Sequence, residues 1–176
     1  MKYTLYTDGG YSMQADLGAF AYVILYEGEL LQKFSQKIEH ETNNRAEIKA
    51  ILYGVQALPD NSEVEVISDS QYALGVLSGA YQAKKNPDLV NLYKKMVRKK
   101  NMKVEYKWVR GHSGNEWNEL CDQLCNEAAG TDLNFRVMPT KGKVKNHFDL
   151  GTLSVKDLYE LLDKVQTEII RRRNND

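Results

Sequence analysis

The chain has 176 residues, 42% of them hydrophobic and 27% charged, which suits one globular domain with an appended element and excludes a globally disordered polymer. Lys plus Arg equals Asp plus Glu at 24 each, so affinity for a polyanion has to come from local basic patches and not from a net field. No segment carries the apolar run needed to span a bilayer, and two cysteines are too few for a disulfide framework, so a cytoplasmic protein with no membrane association is expected. Those two, Cys121 and Cys125, lie one helical turn apart beside Leu124 and Ala128 and read as small core residues, not as metal ligands.

Tyr3–Thr7, Ala19–Tyr26 and Glu29–Ile38 are rich in β-formers, and Asp8-Gly9-Gly10 and Glu27-Gly28-Glu29 read as the turns between them, which predicts an antiparallel meander. Thr42–Leu58 predicts a helix with Ile48, Ile51, Leu52, Val55 and Leu58 on its apolar side. Asn44 is a good N-cap for it, and Glu47 three residues on would complete a capping box in the opening turn, so that Glu47 taken alone reads as a cap. Val64, Val66 and Ile67 mark a short strand running into Ser68-Asp69-Ser70. Because it follows a helical crossover, it is expected to lie parallel to an earlier strand.

Helices are predicted over Gln71–Leu77 and Asp88–Lys100, the second with Leu89, Leu92, Tyr93, Met96 and Val97 inward and its lysines outward. Val104, Tyr106 and Trp108 alternate as a fifth strand. Gly111-His112-Ser113-Gly114 reads as a loop, and Ser113 with Glu116 as the capping box of a helix ending near Ala129. A core over residues 1–129 is followed by an aperiodic linker, 130–153, and an amphipathic helix, 154–173, carrying Leu158, Leu161, Leu162, Val165 and Ile169. That stripe needs cover from the core, from a second copy in a homodimer, or from a protein partner. The fold class expected is α/β: a five-stranded mixed β-sheet flanked by α-helices, with a C-terminal helical extension.

Sites in such sheets gather at the carboxyl ends of strands. Parallel pairing of the first and fourth strands would bring Asp8 and Asp69 to one edge, where Glu47 can reach them. Asp122, on the last core helix with Asn115, Asn118, Glu119 and Asn126, reads alone as a solvent-exposed acid. Gathered together, these carboxylates repel and raise one another's pKa unless a cation neutralises them, and hard oxygen ligands suit magnesium or manganese. Two such ions about 4 Å apart can activate water and stabilise the leaving oxygen in phosphodiester cleavage.

Four blocks in order, Tyr6-Thr7-Asp8-Gly9-Gly10, Thr42-Asn43-Asn44-Arg45-Ala46-Glu47, Ser68-Asp69-Ser70-Gln71-Tyr72, and Trp108-Val109-Arg110-Gly111-His112-Ser113-Gly114 with Asn118-Glu119-Leu120-Cys121-Asp122, resemble the signature motifs of type 1 ribonuclease H. The resemblance covers roughly Met1 to Ala129 and implies a ribonuclease H-like fold. It implies an endoribonuclease cutting the RNA strand of an RNA–DNA hybrid to leave 3′-hydroxyl and 5′-phosphate ends. Asp8 would bridge two magnesium ions, with Glu47 and Asp69 completing one site and Asp122 the other, and manganese as an alternative ion. His112 would assist proton transfer or product departure.

Asn43, Asn44 and Gln71 carry amides that both donate and accept, suited to 2′-hydroxyls and base edges in a wide minor groove. The resemblance assigns them that task, with Thr42 and Ser70 on DNA-strand phosphates and Gly9 and Asn118 as further substrate contacts. The chain departs from many relatives in two places. Tyr11–Leu17 stands where they have a Gly- and Pro-rich turn, and Gly79–Pro87 is too short for their basic, Trp-rich protrusion. Grip on the DNA strand would then fall to Lys84, Lys85, Lys94, Lys95, Arg98 and Lys99, or to the tail's basic residues, including Arg171, Arg172 and Arg173. A non-catalytic hybrid-binding or partner-binding module and a DNA-cleaving relative of the same fold are the alternatives. The acidic quartet argues against the first, and the Asn43, Asn44, Gln71 set against the second.

Overall fold

The computed structural model describes residues 2–130; the linker and C-terminal helix expected at 130–153 and 154–173 lie outside the described residues but for Gly130. The three-strand meander forms as β1 (Lys2–Ser12), β2 (Leu17–Tyr26) and β3 (Glu29–Glu39). Glu27 and Gly28 link the last two strands, both with positive φ, the backbone of a tight two-residue hairpin. β1 runs farther than the glycines suggest. Asp8, Gly9 and Gly10 do not turn the chain, because β2 offers Ala21, Phe20 and Ala19 as ladder partners for them, and the turn comes only at 13–16. Asp8 therefore sits inside a strand and not after it.

The helices α1 (Asn43–Ala57), α2 (Gln71–Ser78), α3 (Pro87–Lys99) and α4 (Glu116–Ala129) and the strands β4 (Glu63–Ser68) and β5 (Lys103–Trp108) complete the expected order. The sheet order is β3-β2-β1-β4-β5, with β4 parallel to both β1 and β5. Period-two alternation sorts the strands onto two layers. Tyr3, Leu5, Tyr22, Ile24, Val64 and Val66 face a core shared with α1, α2 and α3. On the reverse side Ala19, Ala21, Val23 and Leu25 pack with Cys121, Leu124 and Cys125 of α4. Both cysteines are free and buried, and all five predicted apolar positions of the first helix are buried.

Four local expectations differ. Thr42, not Asn44, caps α1: its backbone is extended, and its hydroxyl accepts from Arg45 N, so Asn43 and Asn44 are already helical and Glu47 lies beyond the first turn. Asn115, not Ser113, caps α4 by accepting from Asn118 N, while Ser113 Oγ donates to Arg110 O. Leu92 of α3 is 52% exposed because only Leu89, Val90 and Tyr93 are buried against the core. Trp108 is 49% exposed at the end of edge strand β5.

One contact sets how closely α1 approaches β1. A Cβ at Gly9 would stand 2.4 Å from the Ala46 carbonyl carbon and 2.5 Å from Glu47 N, so only a residue without a side chain lets the opening of α1 lie on the strand. We expect Gly9→Ala to push α1 outward and lower unfolding free energy by about 1 to 3 kcal/mol, read as a fall in the urea midpoint; an unchanged midpoint would show that α1 approaches less closely.

Candidate active site

The parallel pairing of β1 with β4 sets Thr7 opposite Ser68, so Asp8, within β1, and Asp69, just past β4, stand side by side at the same level. Glu47 is brought to them by α1's contact with Gly9. These three acids each offer an oxygen, and the oxygens all lie within 4.8 Å of one another. Glu47 is 7% exposed, and its Oε2 has no hydrogen-bond partner. A buried carboxylate oxygen without a partner beside two other acids suits a cation, and an all-oxygen donor set suits a hard divalent one.

The charges register this crowding. Burial, then the negative charges of Asp69 and Asp122, push the Asp8 carboxyl up to about 7, against relief from the Gly9 N–H and His112. Burial, with Asp8 and Asp69, holds Glu47 well above the usual carboxylate range.

Asp122 approaches from α4. It stands outside the close triad but interacts with Asp8, Asp69 and His112, and its pKa is raised, chiefly by burial. The α4 backbone is anchored nearby, Cys125 Sγ donating to Asp8 O at 3.4 Å. Asp8, Tyr11, Asn43, Asp122 and Asn126 line a cavity of about 160 Å³. Asp122, which taken alone reads as solvent-exposed, is half-buried in the wall of that cavity beside Asp8. His112 is exposed, with φ of 51°, on the turn before α4. The turn comes close to Asp69, for a Cβ on Gly111 would meet Asp69 Oδ2 at 2.5 Å.

Residues 1–130 match the family model for RNase H. The chain belongs to the ribonuclease H family. It is 34% identical to the ribonuclease H of Desulforamulus reducens in an alignment covering 72% of this chain and 86% of that protein. It is 33% identical to ribonuclease HI of Synechocystis, covering 69% and 83%, and 32% identical to the ribonuclease H of Campylobacter jejuni, covering 71% and 89%. The molecule is thus a hydrolase of the ribonuclease H type.

The remaining ribonuclease H motif residues spread around the acids. Thr42, Asn43 and Asn44 are exposed at the N-terminus of α1, where Asn43 Oδ1 accepts from Tyr11 N at 3.1 Å. Ser70 caps α2 by accepting from Ala73 N, and Gln71, exposed, opens that helix. Asn118 differs from the other amides: it is 3% exposed, with its Oδ1 unpartnered, and does not present its side chain to solvent. Lys84 and Lys85 project from the segment between α2 and α3, and Lys94, Lys95, Arg98 and Lys99 from α3 itself, all exposed. Among the described residues no helix is long and apolar enough to cross a membrane.

Three features escaped the sequence reading. Trp108 Nε1 donates to Asp69 O at 2.9 Å, bracing the strand end that carries the acid. Arg45 joins α1 to α3, with Nε on Glu41 at 2.6 Å and its two terminal nitrogens on Asp88 at 3.0 and 2.8 Å; only its i,i+4 spacing from Glu41 was readable. Tyr11, Asp16 and His40 form a third cluster beside Asn43.

Because the Asp8 carboxyl titrates near 7 in the folded state and at 3.8 in its unperturbed form, the folded protein holds a proton the unfolded chain has lost between those values. Without metal, its contribution to stability is therefore present at low pH and lost as pH rises through about 7. We expect Asp8→Asn, measured by urea unfolding in EDTA, to match wild type near pH 4 and to exceed it by about 4 kcal/mol above pH 7; a constant offset between the two curves would contradict this.

Proposed function

We propose that this chain cleaves the RNA strand of RNA–DNA hybrids endonucleolytically, leaving 3′-hydroxyl and 5′-phosphate ends. The observation that carries the reading is the unpartnered, buried Glu47 Oε2 within the Asp8, Glu47, Asp69 triad. Asp8, Glu47 and Asp69 would hold one magnesium ion and Asp8 with Asp122 a second; manganese meets the same oxygen set. Bound there, the ions supply Lewis acidity for the attacking water and the leaving 3′-oxygen.

The chain's own groups do the rest. The His112 imidazole, close enough to Asp122 and Asp8 to interact electrostatically, takes up or returns a proton at the edge of the site, or assists product departure. Exposed amides at the openings of two helices, Asn43 and Asn44 on α1 and Gln71 on α2, hydrogen-bond to 2′-hydroxyls and base edges, which duplex DNA and duplex RNA offer in a different arrangement. Thr42 and Ser70 mark helix N-termini, where backbone N–H groups and the helix dipole favour phosphate, and Gly9 adds a backbone contact.

Lys84, Lys85 and Lys94, with Lys95, Arg98 and Lys99, hold the DNA strand in place of a longer protrusion. We place the enzyme in the cytoplasm, with residues 154–173 recruiting a second copy or a protein partner through their apolar stripe.

The deciding experiment sets a labelled RNA–DNA hybrid beside single-stranded RNA, duplex RNA and duplex DNA, each with magnesium and with EDTA. Magnesium-dependent cutting of the hybrid alone is expected, falling at least about a hundredfold in Asp8→Asn. Binding without cutting, or cutting of DNA alone, would defeat the proposal. Replacing Lys84 and Lys85 together with alanine should weaken hybrid binding and reduce the slope of log affinity against log salt by about 1 to 2; an unchanged slope would remove them from the DNA contact.

A further inference from the structure

Asp16 stands at the turn between β1 and β2, and His40 in the connection from β3 to α1; both have left-handed backbone, with φ of 48° and 55°. Non-glycine residues rarely adopt that conformation without being held there. The Asp16 carboxylate accepts from the Tyr11 hydroxyl, from the His40 ring at Nδ1, and from His40 N at 3.2 Å. Its pKa is lowered, chiefly by the Tyr11 hydrogen bond. Tyr11 also packs its ring against the cluster of Phe20, Ile38, Ala46 and Ala50 under the opening of α1. Its backbone N–H then donates to Asn43 Oδ1 at 3.1 Å.

One carboxylate thus ties the β1–β2 turn to the segment leading into α1, and the tied tyrosine takes the acceptor end of the Asn43 amide. With Oδ1 turned to the Tyr11 N–H, the amide is held in one orientation, and Nδ2 is its donor end.

We propose that Asp16 is a positioning residue for substrate recognition: through Tyr11 and His40 it fixes Asn43 with Nδ2 outward, to donate to an acceptor oxygen on the hybrid. The assignment rests on the hybrid-recognition role of Asn43 proposed above. It also gives the Tyr11–Leu17 segment a task at the position where many relatives have a Gly- and Pro-rich turn. As individual contacts these solvent-exposed bonds contribute little to stability. Their effect is on orientation, and it should therefore appear in KM and not in folding.

The test is steady-state cleavage of a short RNA–DNA hybrid by Asp16→Ala, Tyr11→Phe, Asn43→Ala and the Asp16→Ala/Asn43→Ala double variant, with amide hydrogen exchange at Tyr11 followed by NMR. We expect Asp16→Ala and Tyr11→Phe to raise KM about fivefold with kcat within about twofold. The double variant should be no weaker than Asn43→Ala, because Asp16 has nothing left to position. Exchange at the Tyr11 amide should quicken about tenfold in Asp16→Ala. Wild-type KM in both single variants, effects that multiply in the double variant, or unchanged Tyr11 exchange would each overturn the assignment. If wild type itself leaves the hybrid uncut, the proposed function falls, and Tyr11 exchange alone then decides whether Asp16 holds the clamp.

Discussion

The register of β1 on β4 governs the molecule's chemistry. With Thr7 opposite Ser68, two acids emerge side by side where the strands end their pairing, and α1 and α4 need only lean toward that point to add Glu47 and Asp122. A slip of one residue would turn Asp8 to the other face of the sheet and bury it under the wrong layer. The apolar alternation of Tyr3 and Leu5 with Val64 and Val66 penalises such a slip, so the hydrophobic core and the acidic site are specified by the same hydrogen-bond ladder.

That ladder holds together a group of charges that would separate if free. The buried side-chain atoms without a partner among the described residues are Thr7 Oγ1, Glu47 Oε2 and Asn118 Oδ1, each in a segment that contributes to the site. Elsewhere polar groups are well matched. Glu41 receives both Arg45 and Lys49; burial pushes its carboxyl up, and the hydrogen bonds and positive charges of Lys49 and Arg45 outweigh that and hold it below its ordinary value. Frustration confined to one locus while the surroundings are satisfied is what a fold under selection for binding, and not for stability alone, is expected to show.

Most of this was readable in the chain. Element order and the parallel β1–β4 pair follow from hydrophobic period and the crossover rule, and the acids follow from their motifs. The misreadings share a cause: local signals were overridden by neighbours distant in sequence. Asp8-Gly9-Gly10 looks like a turn, yet β2 pairs with it. Asn44 and Ser113 look like caps, yet Thr42 and Asn115 hold the extended backbone a cap requires. The bracing of Asp69 by Trp108 and the Tyr11–Asp16–His40 cluster join residues 39, 5 and 24 positions apart, with no periodic pattern to announce them.

The bond from Trp108 to Asp69 O has a practical side. The chain has two tryptophans, and the other, Trp117, is partly buried on α4 against the opposite layer. An indole half open to solvent, with its N–H fixed to the backbone of a site acid, has emission that responds to the local electric field. Neutralising the charge at Asp69, one side chain away from that carbonyl, changes that field. The molecule therefore carries an intrinsic optical reporter of the strand end that bears Asp69, readable without label or substrate.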